Sequence, residues 1–272
     1  MRCPTAVALV GALTLACLAA PAAAAPLRIA YAAESAPGNL DIFTVTPSGD
    51  GAQRITSGPA DDSFPAFSPA RDEIVFQRVK PSGARKLFLV TPSGKGVHPI
   101  PHTLHAGAPS WSPDATRIAF ASSTGGIVTV GPGGGSPKQL TEAHGDATPA
   151  WSPDSAHIVF ARRGQLWLMR GDGSHLRKLT AHGTEPAWSP NGEHIAFVRE
   201  TADGNRDLFS MNPDGTHVER LATNARRPAW EPNSRHIAFA TGTGPASKIK
   251  TLLFVSLKHR TTRVTAGVTP AW

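Results

Sequence analysis

Charged and imidazole side chains are concentrated in five short segments that separate apolar, strand-like stretches of the sequence. The segments read SGPADDSF from position 57, PHTLHAGA from 101, EAHGDAT from 142, AHGTE from 181 and TNARR from 223. Carboxylate, imidazole and guanidinium groups can bind a charged partner or ligate a metal ion. The candidate partner-binding residues are Asp61, Asp62, His105, His144, Asp146, His182, Glu185, Arg226 and Arg227.

Two neighbouring segments contain residue types that ligate metals. Glu142, His144, Asp146, His182 and Glu185 offer imidazole and carboxylate groups. Their spacing does not determine the distances between them, and the glycines suit solvated loops equally well. We therefore predict no metal site and no cofactor, and a divalent ion at these segments stays as an alternative.

The sequence contains none of the familiar catalytic motifs. It has no Gly-x-Ser-x-Gly elbow, and Glu193-His194 is followed by IAFV, which excludes a His-Glu-x-x-His zinc motif. The Gly-rich stretches PSGKG and GPGGGS have the character of hairpin turns and lack phosphate-loop spacing. We predict that the protein is not an enzyme.

The candidate segments occur at regular places in a repeat. PAFSPARDEIVF begins at Pro65, and similar stretches begin at positions 109, 149, 186 and 228. Each repeat continues with further apolar runs and a Gly-rich turn, which indicates four short strands. A period of about 40 residues with four strands is typical of a β-propeller blade. The aromatic series of the repeat is Phe67, Trp111, Trp151, Trp188, Trp230 and Trp272, with steps of 44, 40, 37, 42 and 42 positions.

The strand count predicts a ring of six blades. The stretch from position 27 contains the second, third and fourth strands of one blade, and GVTPAW at the C-terminus supplies its first strand. We therefore predict an all-β, six-bladed β-propeller over residues 26–272, closed by pairing of the C-terminal strand with the N-terminal blade. Such closure leaves no open edge strand.

Residue types within the repeat predict structural roles. We expect the aromatic series to pack between neighbouring blades. Short polar side chains after the Ser-Pro or Glu-Pro pairs should accept hydrogen bonds from turn backbone, and three histidines that precede strands should be surface residues. The polar residues are Asp114, Asp154, Asn191 and Asn233, and the histidines are His157, His194 and His236.

Residues 1–25 resemble a secretory signal peptide. Arg2 precedes an apolar run that is short for a membrane span, and Ala-x-Ala cleavage options cluster at positions 22–25. Both cysteines, Cys3 and Cys17, lie in this segment. We predict a periplasmic or secreted protein with no transmembrane segment. A lipoprotein anchored at Cys17 is the alternative, which is disfavoured because Thr14 stands where such signals usually carry Leu.

Charge is unevenly distributed along the chain. Residues 26–150 hold ten basic and ten acidic side chains, whereas residues 151–272 hold sixteen and ten. The excess is concentrated at Lys248, Lys250, Lys258, Arg260 and Arg263. An anionic envelope polymer or an acidic partner would suit this charge, although it could equally serve solubility. For an exported protein we predict no nucleic-acid partner.

The stretch PAWSPD, followed by IAF-type strands and LWLMRGDGSHLRKLT, resembles the WD-like propeller repeat of the TolB family of periplasmic proteins. Similar repeats occur in prolyl-oligopeptidase-type peptidases. The resemblance covers the chain from about residue 27 to 272 and implies the fold rather than a function. TolB itself carries an α/β domain before its propeller, and this sequence shows no such domain.

The resemblance and the residues together favour a non-enzymatic exported scaffold. We expect a monomer that binds an envelope protein or peptide segment through the variable loops at the channel mouth. The alternative is a carbohydrate-binding or lyase-like propeller acting on an acidic glycan, because related repeats occur in an oligogalacturonate lyase. A sensor or subunit of another envelope protein is a third possibility.

Overall fold

The computed structural model describes residues 27–242, 248–253, 261–266 and 268–272. Within these ranges it describes the side chains at all positions except 250–268. All the regular secondary structure assigned in these ranges is β-strand. The 24 strands form six antiparallel sheets of four strands each. The prediction of an all-β, six-bladed propeller is thus confirmed. The predicted signal peptide and Cys17 lie outside the described residues, as do the side chains of the basic C-terminal residues from Lys250 to Arg263.

The first three blades are built by the N-terminal half of the chain. Blade 1 contains β1 (Ile29–Ala36), β2 (Asn39–Val45) and β3 (Gln53–Arg54). Blade 2 contains β4 (Asp61–Phe67), β5 (Ile74–Val79), β6 (Arg85–Val90) and β7 (His98–Pro99). Blade 3 contains β8 (Ala106–Trp111), β9 (Ile118–Ser122), β10 (Ile127–Val130) and β11 (Lys138–Gln139).

The second half repeats the arrangement. Blade 4 contains β12 (Asp146–Trp151), β13 (His157–Arg162), β14 (Gln165–Arg170) and β15 (Arg177–Thr180). Blade 5 contains β16 (Thr184–Trp188), β17 (Ile195–Glu200), β18 (Arg206–Met211) and β19 (Glu219–Ala222). Blade 6 contains β20 (Ala225–Trp230), β21 (His236–Thr241), β22 (Lys248–Leu253) and β23 (Thr261–Ala266), and β24 (Val268–Ala271) ends the chain.

The last strand closes the ring. Strand β24 pairs antiparallel with β1, with Ala271 opposite Ala30, and so supplies the first strand of blade 1. The first strand of every blade contacts the first strands of both neighbours, including β24 with β4 and with β20. Six first strands therefore surround one central channel. We call the end of the ring where each fourth strand leads to the next first strand the mouth face, and the opposite end the turn face.

The aromatic series packs between blades, as predicted. Trp111 of blade 3 lies against Leu87 and Leu89 of blade 2, and Trp230 of blade 6 lies against Leu208 of blade 5. Trp272 is 8% exposed and joins side chains of blades 1 and 6 in one apolar cluster. Burial of such large side chains is a main source of stability.

The Ser-Pro turns share one hydrogen-bond pattern, which confirms the prediction for their polar residues. Asp114, Asp154, Asn191 and Asn233 each accept the backbone N–H two positions later, at 2.8–3.2 Å. Of the three histidines expected to precede strands, His194 does so, whereas His157 and His236 are the first residues of β13 and β21. All three are half-buried rather than fully exposed. One of them, His236, contacts Glu231 at 2.5 Å.

Candidate functional site: the central channel

One residue pair from each blade lines the central channel, near the middle of each first strand. The pairs enclose a cavity of about 130 Å³. They are Phe64-Pro65, Ala108-Pro109, Thr148-Pro149, Glu185-Pro186, Arg227-Pro228 and Thr269-Pro270. The second residue is proline in all six pairs, whereas the first residue is apolar, hydroxylic, acidic or basic. The channel therefore has a repeated backbone and a varied set of side chains.

The backbone at these pairs is strained in the same way in every blade. The residue before each proline has a φ between 47° and 54°, in the left-handed region. The pairing of the first and second strands shifts register at the same place in each sheet, which marks a β-bulge. Proline has no N–H to donate, so an interruption of the ladder accommodates it. Each strained residue costs on the order of 1–3 kcal/mol and persists only when the surrounding structure fixes it.

Glu185 and Arg227 are the two charged side chains among the described residues that line this cavity. The carboxylate of Glu185 accepts the backbone N–H of Arg227 at 2.7 Å and lies 3.6 Å from Arg206 Nη1. The Arg227 guanidinium lies over the Phe64 ring, 4.1 Å from its centre. Phe64 belongs to blade 2 and Arg227 to blade 6, so this cation–π contact spans the channel past blade 1.

Arg227 is held in a poorly solvated place. Burial lowers the pKa of its guanidinium from the ordinary value, the Glu185 carboxylate raises it, and the cations Arg206 and Arg226 lower it further. An arginine stays charged under all physiological conditions. The direction of the shift therefore indicates that the positive charge here is only partly compensated by the protein.

Two predicted site residues, Asp62 and Asp146, are engaged inside the protein. Arg78 donates two hydrogen bonds of 2.7 Å to the Asp62 carboxylate. Arg162 does the same to Asp146 at 2.6 and 2.8 Å. Burial raises the pKa of the Asp62 carboxyl even though Arg78 opposes the shift. Both carboxylates are fully buried, so they tie a first strand to a second strand and present no surface to a partner.

The other predicted residues lie at the mouth face on separate loops and strands. The side chains of His105, His144 and His182 are exposed in three successive loops. Asp61 accepts the backbone N–H of Leu40 at 3.0 Å and so joins blades 1 and 2. Arg226 is half-buried beside Arg227.

The alternative of a divalent metal site has no matching cluster of ligand side chains in the described ranges. No group of three or more His, Cys, Asp or Glu side chains there could hold a metal ion. The five residues considered from the sequence are separated because Asp146 faces Arg162, Glu185 faces the channel and the two histidines face solvent. Nor does any helix within the same ranges have the length and apolar character to cross a membrane.

Sequence reasoning missed the channel-lining residues Phe64, Thr148 and Thr269. The hydroxyls of Thr148 and Thr269 are buried and make no hydrogen bond with any described residue. A signal was available, because each of these residues immediately precedes the proline of the repeat. The repeat identifies the position, but it does not show that the position faces the channel.

Comparison with known proteins agrees with this geometry. The family model of the TolB beta propeller domain matches residues 18–164 and 101–272. TolB from Acinetobacter baumannii has a similar structure, with 19% identity and a TM-score of 0.79 over 90% of this chain and 66% of that one. This chain therefore spans just under two thirds of that TolB.

Two further solved structures show the same fold at low identity. A putative TolB from Agrobacterium tumefaciens is 17% identical, with a TM-score of 0.69 over 80% of this chain and 87% of that one. An oligogalacturonate lyase from Vibrio parahaemolyticus is 15% identical, with a TM-score of 0.56 over 83% of this chain and 71% of that one. No curated protein sequence matches this one. The family match covers well over half of the sequence, and the chain belongs to the TolB beta propeller domain family.

Proposed function

We propose that the protein is an exported, non-enzymatic scaffold that binds a protein or peptide partner at the mouth of its central channel. The observation that carries this proposal is the varied set of six side chains presented by one repeated backbone arrangement. A rigid scaffold with variable residues around one opening is suited to recognition.

The chemistry of the channel supports binding rather than catalysis. Glu185 already accepts an internal N–H and contacts Arg206. The Glu185 carboxylate thus has a structural role, in which it holds β20 next to β16. Threonine hydroxyls without an adjacent base are poor nucleophiles.

Site-specific photocrosslinking in cells that produce the protein tests this function. A photoreactive amino acid at His105, His144 or His182 should give discrete adducts, because these positions are exposed on the mouth face. The same amino acid at Arg235, exposed on the turn face, is the matched control. Adducts from Arg235 alone, or from all four positions equally, would contradict a mouth-face site.

The partner identified from such adducts by mass spectrometry must then bind the purified protein. Substituting Arg227→Glu reverses a charge that lines the channel and should weaken this binding. Unchanged affinity for the purified partner would show that the channel takes no part in recognition.

A second candidate function is action on an acidic glycan. The structural similarity to an oligogalacturonate lyase and the arginines beside the channel favour it. Incubation with polygalacturonate, followed by measurement of unsaturated products, tests it directly. Product formation that is lost in Arg227→Gln would replace the scaffold proposal with this one.

A further inference from the structure

We propose that Arg226 and Arg227 bind a carboxylate of an extended acidic peptide. This inference rests on the proposed function, because it names the chemistry of the partner at the same site. The two arginines are consecutive on β20, and Arg227 lines the channel.

Two arginines of other blades have a carboxylate partner that this pair lacks. Arg78 and Arg162 each donate two hydrogen bonds to a buried aspartate. In the described part of the chain, neither Arg226 nor Arg227 forms an ion pair, and the buried Nε of Arg226 has no hydrogen-bond partner. The Arg227 guanidinium lies over the Phe64 ring, without an ion pair to a carboxylate among the described residues.

The charges next to the pair leave a positive excess. Arg206, Arg226 and Arg227 are the neighbouring cations, and Glu185 is the carboxylate that contacts this group. Glu200 lies opposite Arg206 in the β17–β18 register. Removing an arginine from water without an anionic partner is costly. An incoming carboxylate would offset this cost, and its geometry matches the two parallel donors of a guanidinium.

The size of the cavity favours a peptide over a sugar chain. Its volume of about 130 Å³ is below the range of about 300–1,000 Å³ that small-molecule sites occupy. One acidic side chain or one chain terminus fits such a space, with the rest of the peptide outside at the mouth.

Fluorescence anisotropy with labelled tetrapeptides tests this inference. Tetra-glutamate should bind about tenfold more tightly than amidated tetra-glutamine, since hydrogen bonds between charged groups are stronger than neutral ones. Added salt should weaken the binding of tetra-glutamate. Comparing tetra-glutamate with a free and an amidated C-terminus distinguishes a terminal from a side-chain carboxylate.

Substitutions then locate the site. Arg226→Gln should weaken tetra-glutamate binding about fivefold or more, and Arg227→Gln by at least as much. Arg235→Gln is the matched control in the same blade, because that arginine is exposed on the turn face. Glu185→Gln removes the competing negative charge but keeps an oxygen for the Arg227 N–H, so it should tighten binding about twofold or more. Thermal unfolding of each variant establishes that it is folded.

Several results would overturn the inference. Equal affinity for tetra-glutamate and tetra-glutamine would remove the charge preference, and an unchanged affinity in Arg226→Gln would remove the site. If tetra-galacturonate binds where tetra-glutamate does not, the ligand is an acidic glycan. Mouth-face adducts with a partner whose binding ignores Arg226→Gln would overturn this inference alone, whereas loss of the adducts and of all peptide binding would overturn the proposed function as well.

Discussion

The turn that follows each first strand and the channel pair near the middle of that strand follow different rules. At the turn face, the residue two positions after each Ser or Glu accepts the same backbone hydrogen bond in blades 3, 4, 5 and 6. Around the channel, the backbone is again the same in all six blades, but the side chains range from Ala108 to Arg227. A turn residue that recurs in several blades together with its hydrogen bond maintains the fold. A backbone conformation that recurs in all six blades with unlike side chains is available for recognition.

Hydrogen bonds between blades reinforce this difference. Ser155 of blade 4 accepts the backbone N–H of Asp114 in blade 3 at 3.1 Å. Ser234 of blade 6 accepts that of Asn191 in blade 5 at 3.0 Å. The turn face is therefore bonded from blade to blade, and changes there should lower stability. Changes in the channel should alter binding and leave stability nearly intact.

The largest effect is expected from removing β24, which carries both a channel pair and the last aromatic. Deleting Val268–Trp272 exposes the edge of β1 and removes Trp272 from its cluster with Tyr31 and Ala238. Loss of the tryptophan alone costs about 3–5 kcal/mol, which is a large part of the stability of a domain. We expect aggregation, or a melting temperature far below that of the full chain, by circular dichroism. Trp272→Phe is the milder control, and unchanged melting of the deletion would show that the termini do not share a blade.

Prediction from the sequence succeeded where the repeat carries the information. The period, the aromatic series and the Ser-Pro turns were sufficient for six blades and for the bonds of residues such as Asp154. Glu185 and Arg227 were among the predicted site residues, but Phe64, Ala108, Thr148 and Thr269 were missed. The types of the channel residues have nothing in common, and their left-handed backbone depends on the bulge formed by neighbouring strands. The ion pairs of Asp62 with Arg78 and of Asp146 with Arg162 were also missed, although each arginine follows its aspartate by 16 positions.

Two glycines of blade 5 compare the faces directly. Gly215, in a turn at the turn face, has a φ of +94°, and a Cβ there would lie 2.8 Å from the carbonyl oxygen of Leu179 in blade 4. Gly204, in the β17–β18 hairpin at the mouth face, has a φ of +76° and open space around it. Both alanine substitutions pay the backbone strain of about 1 kcal/mol, and Gly215→Ala adds a clash of about 1–3 kcal/mol.

Chemical denaturation measures this difference in the free energy of unfolding. Gly204→Ala serves as the control, because it carries the strain without the contact. Equal losses in the two variants would show that the turn face gains nothing from the close approach of neighbouring blades.

Strand β12 and the turn that follows it offer the same comparison within one blade. Ser152, directly after β12 at the turn face, is buried and accepts the N–H of His157 at 2.8 Å. Ser152→Ala leaves that N–H unsatisfied and should lower the free energy of unfolding by about 1–3 kcal/mol. Thr148, in the channel, has no hydrogen-bond partner among the described residues, so Thr148→Ala should change the free energy by about 0.5 kcal/mol or less. A larger loss in Thr148→Ala than in Ser152→Ala, in urea denaturation, would reverse the roles assigned to the channel and the turn face.

The smallest effect concerns the charge of a turn residue. Hydrogen bonds from Ser152 and from the N–H of Ala156 hold the pKa of the Asp154 carboxyl below its usual range. Because folding favours the ionised form, the contribution of this carboxyl to stability is complete above the ordinary pKa of about 4 and is lost as the pH falls through it towards the lower folded value.

Asp154→Asn keeps the acceptor oxygen, as Asn191 and Asn233 do naturally, so stability near neutral pH should change by less than about 1 kcal/mol. The acid-induced decline in the free energy of unfolding should become shallower in this variant. A decline identical to that of the unsubstituted protein would show that folding does not stabilise the ionised form of the Asp154 carboxyl. The turn would then require only the shape of the side chain.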